Sequence, residues 1–171
     1  SSHEPNIINI QRLLDQEINL RLETLEPYIQ FSADIDAACS ALKEFIASEK
    51  NNGKRICGLG ASTKGNVLLQ YCGFTSDDIE LIGEVNPDKF GSLTPGSWIK
   101  IESESEVLAS NPDYLLVLPW HFKEFFLKNP AFKGQQLIFP LPKLDIRFCL
   151  PAYSFNISFS TTAICLLCAI F

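Results

Sequence analysis

At 171 residues the chain has the length of one ordinary domain, enough to bury most of the surface its unfolded form exposes. Hydrophobic residues at 46% and charged residues at 20% exclude a disordered or fibrous chain. A formal charge of -6, with no basic cluster, excludes non-specific nucleic-acid binding, which needs a positive surface against the phosphates.

Taken in order, Ile7, Ile10, Leu13, Leu14, Ile18, Leu22 and Leu25 recur every three or four positions. This predicts an amphipathic helix over residues 6 to 26, ended by Pro27. Asp34 is placed to cap a second helix reaching Lys50, with Ile35, Ala38, Leu42, Phe45 and Ile46 on one face and Asn-Asn-Gly after it as the stop. From there short apolar runs alternate with helical stretches, the pattern of a parallel sheet with crossover helices. Residues 55–60 read as a first strand and residues 63–72 as its helix, with Val67, Leu68 and Tyr71 facing inward. Residues 80–85 form the second strand. Residues 86–96, with Pro87, Gly91, Pro95 and Gly96, form a long loop. A short strand near residues 98–101 and a helical turn at 104–109 follow. Residues 114–118, five apolar side chains in a row, predict a strand buried on both faces. A helix over 121–128 and a last strand at 136–139 complete the pattern.

Two features stand outside it. Cys39, Cys57, Cys72, Cys149, Cys165 and Cys168 are scattered, with a CxxC only at 165–168, and the histidines are His3 and His121. A zinc site needs about four ligands, so the thiols read as buried and reduced in a cytoplasmic protein and no metal is expected. Residues 148–171 carry no charge, but Pro151, Asn156 and the hydroxyl residues interrupt them, and the apolar run 163–171 is too short to span a bilayer of about 30 Å. A membrane span is therefore not the expectation. The start, SSHEPNIIN, has no signal-peptide pattern, and the chain contains no methionine, which points to a fragment of something longer.

The stretch CGLGASTKGN at 57–66 carries the most chemistry. A strand ending in Gly58-Leu-Gly60 and leading into a helix presents backbone N–H groups, and the positive end of the helix dipole, to an anion. Thr63 stands where a dinucleotide fingerprint has its third glycine, and Asn66 stands where a P-loop has its lysine. What remains is a turn, Gly60, Ala61, Ser62, Thr63, Lys64, Gly65 and Asn66, offering hydroxyls, N–H groups and one ammonium. Either it cradles phosphate or its glycines only allow close packing of helix on strand. Glu84 ends the second strand, where a carboxylate can bind a ribose diol or be an ordinary strand-end acid, and Asn86 follows it. Trp120 and His121 lie just past the buried strand, at the carboxyl end where open sheets bind ligands. His121 suits either a proton-transfer or a hydrogen-bonding role. No nucleophile or base constellation can be named, so no catalytic residue is assigned.

The blocks GLGASTKGN at 58–66, LLQYCG at 68–73, EVNPDKFG at 84–91, PG at 95–96, PDYLLVLPW at 112–120 and FPLP at 139–142, in this order and spacing, resemble the C-terminal domain of the sugar C-methyltransferases, which depend on S-adenosylmethionine. The resemblance runs from about residue 20 to 146. It implies a Rossmann-like domain that helps hold a nucleotide-linked deoxy-sugar. A preceding methyltransferase domain would bind S-adenosylmethionine, and the full enzyme would remove a proton beside a 4-keto group and pass the enolate to the methyl sulfonium. Where the resemblance leads one to expect Asp-Arg before Asn-Pro, this chain has Glu84 and Val85, and nothing after residue 147 matches.

The expectation is thus an α/β, Rossmann-like three-layer sandwich with a mostly parallel sheet, preceded by two helices. Residues 1–33 would lead from the preceding domain, 34–147 would form the Rossmann-like domain, and 148–171 a tail of unassigned status. Gly60 to Asn66, Glu84, Asn86, Trp120 and His121 would bind the sugar nucleotide, with no cofactor in this part of the chain. The alternatives are an NAD-type dinucleotide-binding module and a structural or oligomerising domain without ligand.

Overall fold

The computed structural model describes residues 5–149. The uncharged stretch from 150 onward, with its CxxC, and His3 lie outside the described residues. Two helices, α1 (Ile7–Asn19) and α2 (Glu26–Asn51), lead into alternating strands and helices: β1 (Ile56–Leu59), α3 (Thr63–Cys72), β2 (Leu81–Glu84), β3 (Lys100–Ser103), α4 (Glu104–Ala109), β4 (Tyr114–Val117), α5 (Lys123–Lys128), β5 (Gln136–Phe139) and β6 (Asp145–Phe148). The six strands form one sheet in the order β3-β2-β1-β4-β5-β6, parallel except for β6. This is the expected mixed α/β, Rossmann-like sandwich.

Because side chains alternate across a strand, the sheet has two apolar faces. Ile56, Ile82, Leu116 and Ile138 meet Leu42 and Ile46 of α2 and Leu68 and Leu69 of α3 on one side. Cys57, Leu59, Leu115, Val117 and Leu137 meet Val107 of α4 and Phe126 of α5 on the other. With both faces covered, the parallel strands read as continuous apolar runs. Charged clamps gather at their amino ends. Arg55 pairs with Glu80 at 2.7 Å, and Asp113 accepts the Arg55 backbone N–H at 2.8 Å and the Lys54 ammonium at 3.0 Å. The carboxyl ends are left to loops.

Several details differ from the sequence reading. Pro27 opens α2 rather than ending a helix, because a proline is tolerated in the first turn, where its missing N–H has no partner to lose. Asp34 is consequently inside α2 and caps nothing. Leu68 is buried, but Val67 and Tyr71 are 63% and 55% exposed, and the inward face of α3 is Gly65, Leu68, Leu69 and Cys72. The strand expected at 98–101 begins two residues later, since Trp98 sits in a turn at φ 58°. Residues 120–122 form a 3-10 turn before α5, and β6 was not anticipated. Cys57 and Cys149 are free, buried thiols, but Cys39 and Cys72 are bonded to each other and tie α2 to α3, against the expectation of reduced cysteines. Their separation in sequence hid a proximity that only helix packing creates.

Candidate functional site

The loop between β1 and α3 is built by hydrogen bonds that consume most of its donors. The Gly60 N–H donates to Gly83 O at 2.7 Å, Ala61 N–H to Glu84 Oε2 at 2.9 Å and Ser62 N–H to Gly60 O at 2.7 Å. Ser62 caps α3, its hydroxyl accepting the Gly65 N–H at 3.1 Å, and the Asn66 N–H donates to Ser62 O. Thr63 and Lys64 remain, at the first positions of α3, where helix N–H groups have no internal acceptor. Among the described residues nothing accepts from either. Both side chains are exposed. The capacity of the loop for an anion is therefore two N–H groups, the Thr63 hydroxyl and one ammonium, fewer than the sequence suggested.

Two glycines are required by contact. Gly60 has φ 78°, and a Cβ there would stand 2.8 Å from Pro119 Cδ; a Cβ on Gly65 would stand 2.6 Å from Leu118 Cβ. The loop and the start of α3 are seated directly on the end of β4.

Glu84 is buried, at 7% exposure. Its Oε2 accepts from Ala61 N–H and from Lys89 Nζ at 3.1 Å, while its Oε1 accepts from the N–H groups of Val85 at 2.9 Å and Asn86 at 3.1 Å. Burial alone would push this carboxyl up, but the Asn86 N–H, the Lys89 ammonium and the Val85 N–H together hold it below its ordinary value. A carboxylate has about four acceptor sites, and these four donors fill them. Lys89 also donates to Ala61 O at 3.0 Å, so the pair braces one loop against another. Asn86 turns its own side chain to the Asp88 N–H at 3.1 Å, opening a short 3-10 turn at Pro87–Lys89.

Beside this brace, at the carboxyl ends of β1, β2 and β4, lies a cleft of about 410 Å³. Gly60, Ser62 and Glu84 line it, together with residues that sequence reasoning did not single out: Lys89, Glu104, Pro119, Phe122, Phe125 and Phe126. Glu104 opens α4, which Ser103 caps through a reciprocal capping box with Glu106. Its Cα lies 3.2 Å from where a Cβ on Gly83 would stand. Burial, and then the charge of Glu84, push its carboxyl above the usual value. Among the described residues it has no hydrogen-bond or salt-bridge partner. A Ser-x-x-Glu just after a strand, which the sequence reading did not use, marks the start of α4 and puts Glu104 at the same sheet end as Glu84.

Trp120 and His121 open elsewhere. They line a second hollow of about 640 Å³ with Lys123, Phe139, Lys143 and Asp145, toward the β5–β6 end of the sheet. Trp120 packs on the core, while His121 is exposed, its ring 4.2 Å from that of Phe122. Lys123 pairs with Asp145 on β6, which also holds Arg147 at 2.8 Å. Of the residues singled out from the sequence, Gly60, Ser62 and Glu84 line the first hollow and Trp120 and His121 the second, while Ala61, Thr63, Lys64, Gly65, Asn66 and Asn86 line neither. Among the described residues no group of three or more His, Cys, Asp or Glu side chains is placed to hold a metal ion.

A family described as the C-methyltransferase C-terminal domain matches residues 1–142. Among characterised proteins, the C-methyltransferase NovU of Streptomyces niveus is 28% identical over 141 residues, covering 78% of this chain and 33% of that protein. The chain therefore spans about a third of the length of this relative.

Proposed function

The chain belongs to the C-methyltransferase C-terminal domain family, and from that premise we propose that it binds a nucleotide-linked deoxy-sugar and positions it for methylation at carbon by a preceding methyltransferase domain. The observation that carries the reading is the arrangement at the carboxyl ends of β1 and β2. Uncommitted N–H groups and the Lys64 ammonium stand at the start of α3, one residue beyond Ser62, which lines the cleft. The first group suits phosphate and the second suits a ring. Holding a substrate in one orientation supplies a large part of a barrier reduction without any group of this chain touching the reacting atoms.

S-adenosylmethionine would supply the methyl group, and the residues here do not favour it as a ligand of this domain. An acid at the end of β2 would serve a cofactor ribose, but the acceptor sites of Glu84 are filled from within the fold. The same observation weighs against the NAD-type reading.

Calorimetric titration of the full chain with dTDP-glucose, UDP-glucose, NAD and S-adenosylmethionine tests this. The sugar nucleotides should bind and the two cofactors should not; tight binding of either cofactor in their place overturns the assignment. Lys64→Ala should weaken sugar-nucleotide binding about tenfold, the scale of one charge-assisted phosphate contact. Unchanged affinity would remove Lys64 from the site.

A further inference from the structure

The cleft beside the Glu84–Lys89 brace contains one acceptor that the fold leaves unused. Glu84 is saturated by four internal donors, and Lys89 is held between Ala61 O and Glu84. Their charges cancel, so the unneutralised charge facing the cleft is that of Glu104. An anion placed inside would meet a carboxylate; a hydroxyl placed there would meet an acceptor free of competition. Pro119, Phe122 and Phe125 give the same cleft an apolar lining, and the two phenylalanines are 58% and 61% exposed. Apolar aromatic surface and a lone carboxylate lining one cleft are what a hydroxylated ring needs: its C–H face can lie on the aromatics while its hydroxyls donate to the acid.

We propose that this cleft receives an uncharged, hydroxylated ring of the nucleotide-linked sugar, with Glu104 as the group that reads its hydroxyls and with the phosphates lying outside, at Thr63 and Lys64. The proposal rests on the reading that this domain binds a sugar nucleotide, and it moves hydroxyl recognition from Glu84, where the strand-end position suggested it, to the first residue of α4. The same hydroxyl chemistry is offered by the ribose and by the hexose.

The test is calorimetric titration of the full chain and of Glu104→Gln with UDP-glucose and dTDP-glucose, with thermal unfolding of each variant alongside. Glu104→Gln should weaken UDP-glucose binding at least about tenfold, the worth of a hydrogen bond to a charged acceptor, while its unfolding midpoint does not fall. An equal loss with dTDP-glucose seats the hexose against Glu104; a loss confined to UDP-glucose seats the ribose, whose 2′-hydroxyl the deoxynucleotide lacks. Phe125→Ala, at an exposed position, should weaken both ligands and serves as the independent variant should Glu104→Gln fail to fold. Native binding that neither variant alters overturns the proposal and leaves the sugar-nucleotide reading standing. Absence of any binding by the native chain overturns both.

Discussion

Glu84 and Glu104 face one cleft with opposite energetics. Glu84 is held below its ordinary pKa, despite a burial penalty, by the Asn86 N–H, the Lys89 ammonium and the Val85 N–H. Its contribution to stability is therefore full above the unfolded carboxyl value and lost as pH falls through the folded one. Glu84→Gln, which keeps one acceptor oxygen and leaves Lys89 unpaired, should lower stability by about 2–3 kcal/mol at pH 7. The gap should narrow below about pH 4. Urea midpoints of both proteins at pH 7 and pH 3 would show it; a gap independent of pH would mean the charge is not what holds the loop. For Glu104 the sign reverses. Burial and then Glu84 raise its pKa, so ionisation costs the fold, a cost absent below the unfolded value and complete once pH has risen through the folded one. Glu104→Gln should leave the thermal midpoint at pH 7 unchanged or higher, as a group retained for binding would; a clear drop would make it structural. Glu84 was legible in the sequence as an acid ending a strand. That its lone pairs would be filled was not, because Ala61 lies 23 residues away and reaches it only once β1 and β2 pair.

The elements were legible to different depths for physical reasons. The bounds of α3 match the reading, since Ser62 caps it and Gly73, at φ 70°, stops it. Its inward face did not match, because apolar residues surround the helix and periodicity cannot choose among Val67, Leu68, Leu69 and Tyr71. The choice is made by Gly65, which lets the helix touch Leu118. Gly65→Ala should therefore destabilise the fold by about 1–2 kcal/mol, overpacking against Leu118 outweighing the better helix propensity of alanine. Equal or raised urea midpoints would show that the contact yields. Strand β6 escaped notice because Asp145 and Arg147 fall within it. An edge strand needs only one partner and tolerates such charges, which also discourage pairing with a further chain.

Over the whole molecule, stability resides in the sheet and in α2 to α5. α1 has no buried residue, and Ile7, Ile10, Leu13, Leu14 and Ile18 all lie exposed. Apolar burial is the main stabilising term, so deletion of residues 1–25 should shift the thermal midpoint by less than about 2 °C. A larger fall would show that α1 packs on the body. No described helix is long and apolar enough to cross a membrane, and the apolar stripe of α1 lies exposed. The division of work between the two acids has one more consequence. Glu84 cannot change without loosening three N–H groups and Lys89, whereas no side chain of the described fold depends on Glu104. Under the proposed roles, selectivity and architecture are inherited on separate positions: a library varied at Glu104, Phe122 and Phe125 explores new ligands on an intact scaffold, and one varied at Glu84 mostly samples weakened scaffolds.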